Sequence, residues 1–438
     1  MNRKSLALWI LLFILSVAPA SATTISIVWE PSPSADVVGY AVYYGHKSGE
    51  YSTRVDTTNQ TSFTLQPIAE SNYFFVVTAY TSAGLESLPS GEVAYQPNPE
   101  VLKILAGTFN GLFQVVPSQR SLGAITLKKG SGDSFSGNVK LDGQLYKFSG
   151  KLNSSGVINV VIKRLGTTSL TLTILSDSNE KNRLTGTLSD GDWAMQLTAD
   201  RAVFNSKTNA APFAGRYTVA LMGILGEELT PGGIGFASVR VLPNGMVQAR
   251  GALGDGKSFV SSSYLSEDGV WPFYVGAYGR FGGLISGWLK FENAGTNSLH
   301  GDLNWIKPTI ARDKFYEEGF SNLVAAIGST YNPPTNVTNG ILDFSNGTVT
   351  LSGGELVQGF TKEVMVLNNK IISVSPGVDR LNLDIQKNVG LLRGSIRLPG
   401  FSTTTRFRGA VLQNQVAGFG FFLGTNQTGQ ILIESAQN

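Results

Sequence analysis

Ile125-Thr126-Leu127-Lys128, a turn at Gly130-Ser131-Gly132-Asp133, then Phe135-Ser136-Gly137-Asn138-Val139 and a second turn at Asp142-Gly143: this run decides the fold. Apolar and polar residues alternate with period two between glycine-bearing turns. Successive side chains of a strand point to opposite faces, so the alternation describes strands buried on one side only. Turns of hairpin length make such strands antiparallel neighbours. The pattern continues through Leu170-Thr171-Leu172-Thr173-Ile174, with turns at Asn153-Ser154-Ser155-Gly156, Gly166 and Ser189-Asp190-Gly191-Asp192. About eight strands result, which predicts an up-and-down antiparallel barrel or sandwich.

Working outward, the same character recurs downstream. Units open at Gly107-Thr108-Phe109, Gly215-Arg216-Tyr217 and Gly328-Ser329-Thr330-Tyr331, 108 and 113 residues apart. A glycine early in each unit precedes one late in it by 49 (Gly137, Gly186), 50 (Gly251, Gly301) and 56 residues (Gly353, Gly409). Apolar-x-Gly-x-apolar segments carry no weight by number alone, because 51 glycines in a chain that is 42% hydrophobic produce several by chance. A period this long exceeds the roughly 20 to 50 residues of solenoid repeats, so each unit reads as a domain or large lobe. The expected units are residues 98–206, 207–310 and 311–438. Arg312 to Ile327 is the one helix candidate, and Gly319 weakens it.

Upstream, Met1-Asn2-Arg3-Lys4, an apolar run from Leu6 to Val17 and Ala20-Ser21-Ala22 read as a secretory signal over residues 1–22. The apolar run is shorter than the about 20 residues a spanning helix needs, and no comparable run follows, so no membrane span is expected in the mature chain. Residues 23–97 then divide into short strands. Ile25, Ile27 and Trp29 alternate before Pro31-Ser32-Pro33; Gly39-Tyr40-Ala41-Val42-Tyr43-Tyr44-Gly45 follows, then Phe63-Thr64-Leu65 and Tyr73-Phe74-Phe75-Val76-Val77-Thr78-Ala79-Tyr80. This order resembles the fibronectin type III sandwich, with Leu65 and Tyr73 where that family places a corner leucine and tyrosine. The resemblance implies that Trp29, Tyr73 and Val77 are core residues. It implies a fold and not an activity. Thr81-Ser82-Ala83-Gly84-Leu85-Glu86-Ser87, before the last strand, lacks the Arg-Gly-Asp of cell-binding members. Such domains in exported bacterial proteins serve as spacers or binding accessories. The later units resemble glycine-rich β repeats that accompany fibronectin type III domains in large exported bacterial proteins. Their hairpins are also similar to the eight-stranded barrels of surface lipoproteins, whose lipid-anchoring cysteine is missing here. The fold class expected is therefore all-β: a fibronectin type III sandwich followed by three antiparallel barrel-like or sandwich-like units.

Composition excludes much chemistry. The chain has no cysteine and two histidines, His46 and His300, so a His/Cys metal site is not expected, and no cofactor motif is present. Without cysteine there are no disulfides, which fits bacterial export to the surface or periplasm. Charge is nearly balanced once Arg3 and Lys4 leave with the leader, so no nucleic-acid footprint is expected. Gly132-Asp133-Ser134 lacks the second glycine of a nucleophile elbow and reads as a turn. Glycoside hydrolysis needs only two carboxylates; Glu227-Glu228 and Glu317-Glu318 are adjacent pairs and read as solvated charges.

One constellation suggests binding. Trp271, Trp288 and Trp305 are spaced by 17 and 17, with Tyr274 nearby, and flat aromatic faces stack on sugar rings. The same spacing also fills a barrel core. The expectation is an exported, non-catalytic binding or structural protein, secreted or periplasmic, engaging a polysaccharide or an envelope protein. The alternative is a glycoside hydrolase carrying a fibronectin-type spacer.

Overall fold

The computed structural model describes residues 13–15, 25–65, 72–95, 104–116, 118–153, 156–177, 180–292, 298–335, 340–367, 370–374, 377, 379–398 and 403–436. Two compact units result, Met1–Lys103 and Ile104–Asn438. The segment read as a leader lies outside the described residues except for Phe13–Leu15, a short strand paired antiparallel with Ile25–Val28.

In the first unit one sheet joins Phe13–Leu15, Ile25–Val28 and Ser62–Leu65, and the other joins Thr53–Thr58, Val37–Gly45, Tyr73–Thr81 and Val93–Tyr95. Alternation dictates what lies between them. Ile25, Ile27, Trp29, Tyr40, Val42, Tyr73, Phe75 and Val77 form the core. Trp29 meets Tyr40 edge-on with ring centroids 5.8 Å apart. The three residues expected in the core are there.

The second unit consists of three eight-stranded antiparallel sheets. In each, strands adjacent in sequence pair, and the first strand also pairs with the last: Gly107–Val115 with Ala194–Arg201, Gly215–Leu221 with Phe320–Thr330, and Asn346–Gly353 with Thr428–Ser435. This pairing rolls each meander into a barrel. The ladder is interrupted once per barrel. The break falls between Gln144–Lys151 and Ile158–Ile162, between Ser258–Tyr264 and Val270–Gly276, and between Lys370–Ser373 and Asn382–Gln386. The third barrel thus opens after its third strand and the others after their fourth.

Two expectations are corrected here. The boundary at residue 310 falls inside the second barrel, because Phe320–Thr330 pairs along its length with Leu299–Lys307 and closes that barrel on Gly215–Leu221. The segment read as a helix from Arg312 is a loop followed by this strand. Gly319 turns the chain at φ +75°, and Leu323-Val324-Ala325-Ala326-Ile327 alternates exposed and buried as a strand must. The opening assigned to the third unit at Gly328 is therefore the end of the second.

The glycine spacing is meaningful for two barrels. Gly137 and Gly251 lie on third strands and Gly186 and Gly301 on seventh strands, whereas Gly353 and Gly409 lie on a first and a sixth strand. A side chain at Gly251 would overlap the Phe236 carbonyl oxygen, and one at Gly186 would overlap that of Thr173. These are points where a tightly coiled neighbour approaches too closely for any Cβ.

Each barrel is filled. Phe109, Phe113, Leu127, Leu172 and Leu188 pack inside the first, Trp271, Phe291, Leu303 and Trp305 inside the second, and Val349, Phe407, Phe422 and Ile431 inside the third. The outer walls also bury apolar side chains where barrels meet. Leu112 and Ala124 of the first pack on Tyr274 and Leu284 of the second. Ala220, Ile234 and Phe236 of the second pack on Ala410, Leu412 and Phe421 of the third, with Phe236 and Phe421 stacked at 6.0 Å. Substituting Gly251→Ala forces the second barrel apart at this approach. The expected loss is about 1 to 3 kcal/mol in urea unfolding of the full chain, with the fold retained by circular dichroism.

Candidate binding groove

Alternation along Thr405–Leu412 sends Phe407 and Val411 into the third barrel and Arg406, Arg408, Ala410 and Leu412 outward. Ala410 and Leu412 are covered by the second barrel; Arg406 and Arg408 extend beyond the covered area and are exposed. On the neighbouring strand Leu391–Ile396, Arg393 lies directly opposite Arg408, and Ser395 opposite Arg406. Asp384 stands opposite Arg393 and Phe421 opposite Arg408, completing a row across four strands.

The row has a definite electrostatic character. Arg393 pairs with Asp384 at 3.2 Å, and the two side chains retain 65% and 58% of their exposure, so the pair is easily exchanged for another partner. Arg408 has its guanidinium carbon 5.5 Å from the centre of the buried Phe421 ring. Like charges directly opposite one another on a sheet face are destabilising, and the Arg393 and Arg408 positions accept that cost. These residues line a groove of about 1230 Å³, with Lys314, Ser395, Thr403, Thr404, Thr405, Arg406 and Thr425 around it and Asp384 the one carboxylate among its described lining residues.

Lys314 comes from the second barrel, on the loop between its last two strands, and a buried network fixes that loop. The Lys307 ammonium lies 3.1 Å from the Asp313 carboxylate, donates to the Tyr316 carbonyl at 2.8 Å and faces the Tyr278 ring at 5.5 Å. Burial pushes the Asp313 carboxyl up, but the Lys307 hydrogen bond and charge outweigh it and hold the group below its ordinary range. Beneath, Tyr278 donates to Asp255 at 2.7 Å and accepts from the Trp305 indole at 3.0 Å. Burial raises the Asp255 carboxyl, opposed by hydrogen bonds from the Lys257 amide and Tyr278, and burial with the Asp255 charge raises Tyr278. Beyond Lys314, the Tyr316 hydroxyl accepts from the Thr428 amide at 2.9 Å and stands 3.0 Å from its hydroxyl oxygen. The loop is tied at Asp313 to the second barrel and at Tyr316 to the third.

The residues expected to form a sugar-stacking face are not brought together on the surface. Trp271 and Trp305 are inside the second barrel, at 1% and 3% exposure, with Trp271 donating to Ser263 at 2.7 Å. Tyr274 is buried against the first barrel, and the half-buried Trp288 packs on the same contact. The register explains this. Trp271 faces Leu289 and Ile285 faces Trp305, so odd-numbered residues point inward on all three strands, and an odd spacing of 17 sends the middle tryptophan outward. Equal spacing by an odd number cannot place three side chains on one face here.

Of the carboxylate pairs, Glu228, Glu317 and Glu318 do meet, around a cleft of about 240 Å³ also lined by Asp313, Tyr316 and Asn426. The three glutamates are exposed, and Glu317 accepts the Arg312 amide at 2.7 Å. His300 stands 3.3 Å from Glu292 on the surface, and His46 lies in the first unit beside the Asn72 carbonyl. Among the described residues no group of three or more His, Asp or Glu is arranged to hold a metal ion, and no helix is long and apolar enough to cross a membrane. The groove itself was not foreseen. Arg406-x-Arg408 on one face was readable from the alternation around Phe407, but the Arg393 partner depends on register.

Residues 14–94 match the fibronectin type III domain, so the first unit is such a domain; the match begins inside the segment read as a leader. No curated protein matches the chain. Among solved structures, a Tyr-167-Ala and Trp-176-Ala double mutant of transferrin binding protein B from Haemophilus parasuis aligns over 96% of this chain and 98% of its own, at 9% identity and a TM-score of 0.19. An intact two-lobed transferrin binding protein B, Ap-TbpB, aligns over 96% and 99% at 8% identity and 0.19. Three fibronectin domains of chicken contactin align over 97% and 97% at 10% identity and 0.15. Scores this low carry no argument about this chain.

Tyr278→Phe removes the hydroxyl that satisfies both Asp255 and the Trp305 indole. The Trp305 indole loses its partner and Asp255 keeps only the Lys257 amide, and a loss of about 2 to 4 kcal/mol is expected in thermal or urea unfolding.

Proposed function

We propose that this chain is an exported, non-catalytic binding protein of the bacterial cell surface or periplasm, and that it takes its ligand on the outer wall of the third barrel. The single observation behind this reading is the groove between Arg393, Arg406, Arg408 and Lys314, set against barrels whose interiors are packed with side chains. A filled barrel has no lumen to offer a ligand, so recognition falls to its exterior. The ligand is a polysaccharide or an envelope protein, and the fibronectin type III domain serves as its spacer. A glycoside hydrolase is the second reading, favoured by the meeting of Glu228, Glu317 and Glu318. It is the weaker one, because the general acid of such enzymes sits in an environment shielded from water and these three glutamates are exposed.

The test is a glycan and envelope-protein array probed with the full chain, run beside a reducing-end assay on every glycan bound. Saturable binding without product is expected. Product whose formation is lost in Glu317→Gln or Glu228→Gln would replace this reading with the enzymatic one.

A further inference from the structure

We infer that the groove on the third barrel binds a polysaccharide bearing oxyanion groups, carboxylate or sulfate. The inference rests on the binding role proposed above and specifies its ligand.

Four cationic side chains, Lys314, Arg393, Arg406 and Arg408, converge on the groove against the one carboxylate, Asp384. Two of them, Arg393 and Arg408, are cross-strand partners, an arrangement that costs stability unless an anion sits between them. Residues two apart on a strand are about 7 Å apart and neighbouring strands about 4.8 Å, so Arg406, Arg408 and Arg393 present a triangle of guanidinium forks to one ligand surface. Such forks take planar oxyanions bidentately. Beyond the backbone ladder, the Arg406 side chain makes no hydrogen bond or ion pair among the described residues, and that of Arg408 is held against Phe421, so neither must abandon a carboxylate to bind. Arg393 must, and its pair with Asp384 is exposed and weak.

The hydroxyl-bearing part of the lining, set beside apolar Leu356, Leu398 and Leu423, favours a sugar polymer as the carrier. Ser395, Thr403, Thr404, Thr405 and Thr425 surround the cations with hydroxyl groups suited to sugar hydroxyls. The volume of about 1230 Å³ exceeds the roughly 300 to 1,000 Å³ of a small-molecule pocket and suits several residues of a chain. Among the described lining residues the aromatic rings, Phe407, Phe421 and Phe422, are all buried, Phe421 beneath Arg408, so charge and hydrogen bonding lead the recognition. Near-neutrality of the chain conceals this site. Residues 346–435 carry eight Lys and Arg against five Asp and Glu, while residues 25–95 carry two against seven.

The experiment titrates the full chain with polygalacturonate, heparin, neutral dextran and a single-stranded DNA of similar length, by calorimetry at low and moderate salt. Binding to polygalacturonate or heparin is expected, with dextran at least tenfold weaker; which of the two binds assigns the oxyanion to carboxylate or sulfate. Affinity should fall steeply as salt rises, since exposed charges are screened. The double variant Arg406→Gln/Arg408→Gln should lose at least tenfold while its melting temperature holds or rises, because a repulsive pair has been relieved. Asp384→Asn should bind about two- to fivefold tighter, having freed Arg393 from an exposed pair. Equal affinity for dextran, undiminished binding by the double variant, DNA bound as tightly as the polysaccharides, or no binding to either acidic polymer would overturn the inference. A neutral glycan or a protein whose binding is lost in the double variant would overturn it while leaving the binding role intact, whereas product formation from a glycan would defeat the binding role itself.

Discussion

The pairing of each meander's first strand with its last is the constraint on which the rest depends. An antiparallel sheet of eight strands, twisted and joined by short turns, leaves its first and last strands as open edges until those strands meet, and the gap is then confined to the one interruption in each barrel. Once they do, the inward-facing alternate residues have only one another to pack against, and each interior fills with Leu, Ile, Val, Phe and Trp side chains. Every buried aliphatic or aromatic residue contributes about 1.5 to 3 kcal/mol relative to exposure, so the interiors are sites of stability. The strands' other residues project from the outer walls, which is where the proposed ligand would be met.

What those walls do differs by place. Where Ala220, Phe236, Ala410 and Phe421 coincide, they are apolar and hold barrels together. One turn of alternation further along the same strands, Ala410 gives way to Arg408 and Arg406, and the wall becomes a charged groove. The loop that supplies Lys314 is held by the buried Lys307, whose ammonium has exchanged water for Asp313, the Tyr316 carbonyl and the Tyr278 ring. Removing one partner from such a buried pair costs about 3 to 5 kcal/mol, which makes it a rigid support for the groove's edge. Specific binding gains from such rigidity because less ordering is required when the ligand arrives.

Much of the fold was legible because strands announce themselves locally. Leu170-Thr171-Leu172-Thr173-Ile174 and its turns need no partner to be recognised, and Trp29, Tyr73 and Val77 identify their sandwich from order alone. What failed was information carried by pairing. Phe320–Thr330 belongs to the second barrel because of what it bonds to, and nothing between residues 310 and 320 marks that allegiance. The spacing of Trp271, Trp288 and Trp305 fitted both a binding surface and a barrel core because a sequence gives spacing without facing, and register alone turns Trp288 away from the other two. The groove is the same lesson in reverse. Arg393 and Arg408 are separated by 15 residues, yet the ladder sets them side by side.

The central claim is that this protein's ligand lies on the outer wall of the third barrel. Hydrogen exchange of the full chain with and without an acidic oligosaccharide tests it most directly. The account predicts slowed exchange confined to residues 391–396, 405–408 and the loop bearing Lys314, with the first two barrel interiors and the fibronectin type III domain unchanged. Protection centred instead on the first unit, or on the cleft between Glu228 and Glu317 without the arginine strands, would contradict it.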